Sequence, residues 1–157
     1  MEIDGVTVSS DSSPVIIAEM SGNHNRSLER ALKIVDLAAD AGVDLLKLQT
    51  YTPNTITLDS TSEDFVVSDP KSLWSGRTLH SLYEEAHMPW EWQIEIFRHA
   101  KSRGLPCFSS VFDASSVKFL EDLNAPAYKI ASQEIVHLEL IEQVAETGKP
   151  IIMSTGM

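Results

Sequence analysis

Five times along the chain a short apolar run ends in a cluster of polar residues, and after most of these runs comes a stretch with apolar residues at helical spacing. The runs begin near Val15, Asp44, Pro106, Pro126 and Pro150. Their length and unbroken apolar character predict strands buried on both faces. The spacing predicts helices over 27–41, 90–103, 114–123 and 136–147; in the first, Leu28, Ala31, Leu32, Val35 and Ala38 share one face. Ser27 and Asp113 suit helix N-caps, and Gly42, Gly104 and Gly148 suit the position just past a helix end. Strand–helix units in series imply a parallel sheet with helices packed outside it. Such a sheet is either open and doubly wound or part of a barrel. No G-x-G-x-x-G follows the first strand, which counts against a dinucleotide-binding sheet.

The expected fold is therefore an α/β TIM (β/α)8 barrel, of which this chain covers about the first five strands, since a complete barrel takes about 250 residues. Residues 1–13 are expected to form an N-terminal hairpin or cap turning at Asp4-Gly5, and 14–157 the N-terminal part of the barrel. Alone, such a half-barrel leaves strand edges and apolar helix faces uncovered. One interval departs from the rhythm. The second and third strands start about 60 residues apart, which implies an insertion over about 50–88. Long insertions after a strand often carry function.

Composition narrows the partners. A net charge of −11 argues against nucleic acid or an anionic membrane, but a few lysines in a cleft can still hold a small anion. The single cysteine, Cys107, lies in an apolar run and reads as a core residue; a lone thiol fits a reducing, cytoplasmic setting. No apolar stretch approaches the roughly 20 residues of a membrane helix, and no signal peptide precedes the first strand.

The polar residues fall at the C-terminal ends of the strands, where parallel α/β sheets and barrels build their active sites. They comprise Glu19 with Asn23 and His24, Lys47 with Gln49, Ser110, Lys129 with Ser132 and Glu134, and Ser154. Lys47 and Lys129 each sit inside an otherwise apolar strand, which is costly without an anionic partner. Three readings stand: structural salt bridges, a phosphate or carboxylate clamp, or a Schiff-base amine. The serines beside both lysines favour the clamp, because hydroxyls and ammonium groups together serve the many acceptor oxygens of a phosphate.

Glu19 is the candidate general acid or base, or else a carboxylate that orients a lysine. Glu134 either joins the site or opens the fourth helix. The five histidines show no metal-ligand spacing. His99 reads as a surface residue, and His24 as either a substrate contact or a loop hydrogen-bond partner. Trp92 fits a core position, whereas Trp74, in the insertion, is the better ligand candidate.

Four segments resemble the sialic acid synthase family: 17–25 (IAEMSGNHN), 43–51 (VDLLKLQTY), 125–132 (APAYKIAS) and 148–157 (GKPIIMSTGM). The insertion's 73–79 and 88–92 are most similar to the members that make pseudaminic acid. The resemblance implies condensation of phosphoenolpyruvate with the open aldehyde form of an N-acetylated amino sugar. It implies a divalent metal (manganese, magnesium or cobalt) whose ligands lie past residue 157. It also implies a later antifreeze-like domain and a homodimer. By resemblance, Lys47, Ser110, Lys129, Ser132 and Ser154 hold phosphoenolpyruvate, with Asn23 and Tyr51 among the substrate-binding residues. Glu19 assists proton transfer and Gln49 lies near the reacting groups. On this reading residues 1–157 alone are inactive.

Overall fold

The structure, a computed structural model, describes residues 1–156. Seven strands and six α-helices follow in order: β1 (Glu2–Ile3), β2 (Val6–Thr7), β3 (Ile17–Glu19), α1 (Leu28–Asp40), β4 (Leu45–Thr50), α2 (Pro53–Ile56), α3 (Leu79–Ala86), α4 (Trp90–Ser102), β5 (Cys107–Val111), α5 (Ala114–Asp122), β6 (Tyr128–Ile130), α6 (Leu138–Glu146) and β7 (Ile151–Met153). Two 3₁₀ turns, Glu63–Phe65 and Gln133–Val136, complete the set.

β3 to β7 form one parallel sheet whose spatial order equals the chain order. A doubly wound sheet reverses direction at a switch point, and no reversal occurs here. The sheet is a five-stranded half-barrel. Its helices start and stop where local chemistry dictates. Ser27 caps α1 by accepting from the Arg30 amide, and Asp113 caps α5 by accepting from the Ser115 and Ser116 amides. Gly42 follows α1 at φ 72°, a backbone conformation glycine adopts freely.

Strand alternation sorts the side chains. Register pairs Glu19 with Lys47, Lys47 with Phe108, Ser110 with Lys129, and Lys129 with Ile152. Paired residues share a face, as do residues two apart on one strand. Leu45, Lys47, Gln49, Phe108, Ser110, Ala127 and Lys129 therefore line the inner face. Its lower part is apolar. Leu45, Phe108 and Ala127 are buried with Ile3 of the β1–β2 hairpin, and Val6, Val8, Ile17 and Ile152 pack around them. The hairpin plugs the base of the half-barrel, and the polar residues sit above the plug. The outer face packs on the helices: Leu46 and Leu48 meet α1 and α4, while Tyr128 and Ile130 meet α5 and α6.

The insertion after β4 holds α2, the first 3₁₀ turn and α3. Two long-range hydrogen bonds tie it down, and an ion pair braces it internally. Arg26 donates to the Glu84 carbonyl at 3.0 Å, the Trp90 indole donates to the Tyr51 carbonyl at 3.2 Å, and Arg77 pairs with Glu85 at 2.6 Å.

One expectation needs correction, and one open alternative is decided. His99 is half-buried and lies 2.9 Å from Asp36, so it bridges α4 to α1 instead of facing solvent. Glu134 lies in the 3₁₀ turn ahead of α6, not in the first turn of α6.

Candidate active site

Two ammonium groups meet on the inner face where the strands end. Lys47 is only 8% exposed; its Nζ lies 3.3 Å from a Glu19 carboxylate oxygen and donates to Ser110 Oγ at 3.4 Å. Lys129 Nζ donates to the Ile130 carbonyl at 2.5 Å and to Ser154 Oγ at 2.6 Å. Burial, and then the charge of Lys47, lower the Lys129 ammonium below the usual lysine range; Glu19 and Glu134 oppose the shift. The charge of one ammonium thus disfavours that of the other, and Glu19 is in ion-pair contact with Lys47. An arrangement of this kind is relieved by a further anion between the ammonium groups.

Glu134 belongs to the same neighbourhood. Burial raises its carboxyl above the usual glutamate range, and its Oε2 has no hydrogen-bond partner. Beside the lysines lies a cavity of about 300 Å³ lined by Gln49, Tyr51, Ile56, Tyr83, Phe112 and Glu134, among others. Tyr51 is 6% exposed, and burial pushes its phenol up to about 12. A larger cavity, about 540 Å³, opens at the opposite end of the strands between Asp4, Arg98, Lys101 and Asp122. Size favours that one, but the chemistry favours the smaller, whose lining includes Gln49, the register partner of Ser110, and Glu134.

The structure therefore gathers Glu19, Lys47, Ser110, Lys129 and Ser154, with Gln49 and Tyr51 in the adjoining cavity. Ser132 and Asn23 stand apart. Ser132 Oγ donates to the Gln133 side chain at 3.4 Å, and the exposed Asn23 amide donates to the Met20 carbonyl of its own loop. His24 is buried; its Nδ1 accepts from the Arg26 amide at 3.2 Å, and its ring meets Trp92 edge-on, so it organises the first loop. Trp74 lies against the Arg77 guanidinium, 5.0 Å from ring centroid to carbon, and does not line the cavity. Cys107 is a buried core thiol, pushed up by burial. Among the described residues no group of three or more His, Cys, Asp or Glu side chains could hold a metal ion. No helix among them is long and apolar enough to cross a membrane.

Ile56, Tyr83 and Phe112 carry no prior signal in the sequence. Glu134 does, since it closes the polar cluster after β6.

Fold and site together define a barrel-type α/β protein with lysines and serines converging at the C-terminal ends of its strands. The chain belongs to the NeuB family, whose model matches residues 34–157. It is 45% identical over 144 residues to the pseudaminic acid synthase of Helicobacter pylori, and 46% identical over 147 residues to that of Campylobacter jejuni. The alignments cover 92% and 94% of this chain and 42% of each relative, so the chain spans well under half of their length. Among solved structures, it superposes on the spore coat polysaccharide biosynthesis protein SpsE of Bacillus subtilis with a TM-score of 0.74 and 31% identity, covering 99% of this chain and 40% of that one. It also superposes on an N-acetylneuraminic acid synthetase of Leptospira borgpetersenii, in complex with citrate, with a TM-score of 0.74 and 25% identity, covering 96% of this chain and 50% of that one.

Proposed function

We propose that the protein carrying this chain condenses phosphoenolpyruvate with an N-acetylated amino sugar aldehyde, giving a nonulosonic acid and phosphate, and that it works as a homodimer. The sugar we assign is 2,4-diacetamido-2,4,6-trideoxy-L-altrose, and the product pseudaminic acid. Identities of 45% and 46% to pseudaminic acid synthases support this substrate over that of the N,N'-diacetyllegionaminic acid synthase of Campylobacter jejuni, at 31%. One observation carries the reaction class: Lys47 bonded to Ser110, and Lys129 bonded to Ser154, bring two ammonium groups and two hydroxyls to the C-terminal ends of neighbouring strands.

In the proposed reaction, Lys47, Lys129, Ser110 and Ser154 hold the phosphate and carboxylate of phosphoenolpyruvate. C3 of phosphoenolpyruvate attacks the aldehyde carbon, leaving positive charge at C2. Water adds at C2, and phosphate departs by C–O cleavage. The fixed ammonium groups and hydroxyls orient the reactants and stabilise the charged states. Glu19, bonded to Lys47, is positioned to move a proton, and Gln49 flanks the reacting carbons. The metal implied by the resemblance finds no ligand cluster among the described residues, so no step is routed through it.

A second reading has its own observation. Lowering of the Lys129 ammonium by burial and by Lys47 is also what a Schiff-base lysine needs. Its hydrogen bonds to Ser154 and the Ile130 carbonyl favour the clamp. Borohydride treatment with a keto acid separates the two: the aldolase leaves a covalent adduct on Lys129, the clamp none.

The reaction itself is tested on the full-length protein with phosphoenolpyruvate, manganese and a panel of acetamido sugars, following phosphate release. Release with the altrose-configured diacetamido sugar supports the assignment. Release only with N-acetylmannosamine or another sugar overturns the substrate, and no release with any sugar overturns the reaction.

A further inference from the structure

Behind the lysine site, where β4 and β5 meet α4, the packing is apolar: Leu46, Leu48, Ile96, Ala100 and Cys107 are buried there. Three polar side chains break this layer. Thr50 of β4, Ser109 of β5 and Gln93 of α4 are fully buried within it. A polar group placed in such a layer costs free energy unless its hydrogen bonds are met. Valine, alanine and methionine fill the same space without that demand.

The three side chains form one hydrogen-bonded chain. Gln93 Nε2 donates to the Gln49 carbonyl at 3.3 Å, so its Oε1 is left to accept, and Thr50 Oγ1 donates to it at 2.7 Å. With that proton placed, Thr50 accepts from Ser109 Oγ, 2.7 Å away. The Ser109 hydroxyl also lies 3.1 Å from the Ser110 carbonyl, so its single proton is shared between the two oxygens. The chain thus ends on two backbone carbonyls, those of Gln49 and Ser110. These two residues are register partners. Their side chains stand on the opposite, inner face: Gln49 lines the smaller cavity, and the Ser110 hydroxyl accepts from the Lys47 ammonium. A bonded polar network in a low-dielectric layer is rigid. It fixes the last inward-facing rung of β4 and β5 from behind and ties that rung to α4.

We infer that Gln93, Thr50 and Ser109 are positioning residues for the lysine site: they touch no substrate, but through the backbone of Gln49 and Ser110 they set where the Gln49 amide and the Ser110 hydroxyl stand. The inference rests on the proposed condensation. It is tested on the full-length protein by steady-state kinetics and thermal unfolding of the same samples. Thr50→Val and Gln93→Met keep the volumes and remove the bonds. Together they leave an apolar layer, so the double variant folds with a melting temperature close to the parent's. Its kcat/KM for phosphoenolpyruvate nevertheless falls about tenfold or more, because small displacements of reacting groups are costly. Each single variant falls as far as the double, since either change breaks the same chain. Thr50→Ser, which keeps the hydroxyl, stays within about twofold of the parent. Ser109→Ala lowers kcat/KM in the same direction, and decides the matter if the double variant does not fold. Three results overturn the inference: folded variants with parent kinetics, single losses that multiply in the double variant, or a Thr50→Ser loss as large as that of valine. No phosphate release by the parent with any sugar overturns the proposed function, and this inference with it.

Discussion

Lys129 shows how a single side chain is shaped by what it awaits. Its charged form is disfavoured by burial and by Lys47, a cost that an anion between the two ammonium groups removes. A charge-assisted contact of this kind contributes about 1.5–3 kcal/mol. Lys129→Met should therefore weaken phosphoenolpyruvate binding about 10–100-fold, read by calorimetric titration, and should largely abolish its thermal protection of the protein. Undiminished protection in the variant would place the anion elsewhere. Glu134 makes a pH prediction. Its folded-state carboxyl is raised, so the unfolded chain ionises first as pH increases. The resulting cost is absent at low pH, sets in above about 4.5 and is complete beyond the folded value. Glu134→Gln should therefore stabilise the protein at pH 7 relative to the parent, with the advantage fading below about pH 4.5. Equal gains at both pH values would refute the ionisation account. The meeting of the two lysines at the strand ends was legible because a lysine inside an apolar strand needs polar partners. Tyr83 was not, because a tyrosine in an irregular insertion carries no periodicity to mark it.

Elements with caps and periodicity were read from sequence to within about two residues, since the signals are local: α1 starts one residue after its Ser27 cap, and α5 after Asp113. The insertion resisted although α2 and α3 have caps at Thr52 and Thr78, because both helices are short and their placement depends on distant partners such as Arg26 and Trp90. The hairpin illustrates the same limit. Its Asp-Gly turn was visible, but its role as a plug depends on Ile3 meeting Leu45, Phe108 and Ala127, up to about 120 residues away. Ile3 is fully buried. Ile3→Ala should cost about 2–4 kcal/mol, measured by urea unfolding, by emptying the base of the half-barrel. Loss below about 1 kcal/mol would mean the hairpin lies on the sheet without filling it.

At the scale of the whole molecule, the sheet ends in two strands that each have one neighbour, β3 and β7. Ser154 follows β7 and bonds Lys129 of β6, so one flank of the lysine site borders the open edge of β7. The described residues supply the proposed clamp but no cluster of metal-ligating side chains, and the chain covers 42% of the length of each pseudaminic acid synthase it matches. Binding and turnover should therefore separate. A polypeptide of residues 1–157 should bind phosphoenolpyruvate through the lysines, with an affinity that falls as salt rises. It should release no phosphate from phosphoenolpyruvate, the diacetamido sugar and manganese, under conditions where the full-length protein turns over. Phosphate release by 1–157, lost on Lys129→Met, would show that the half-barrel alone completes the reaction.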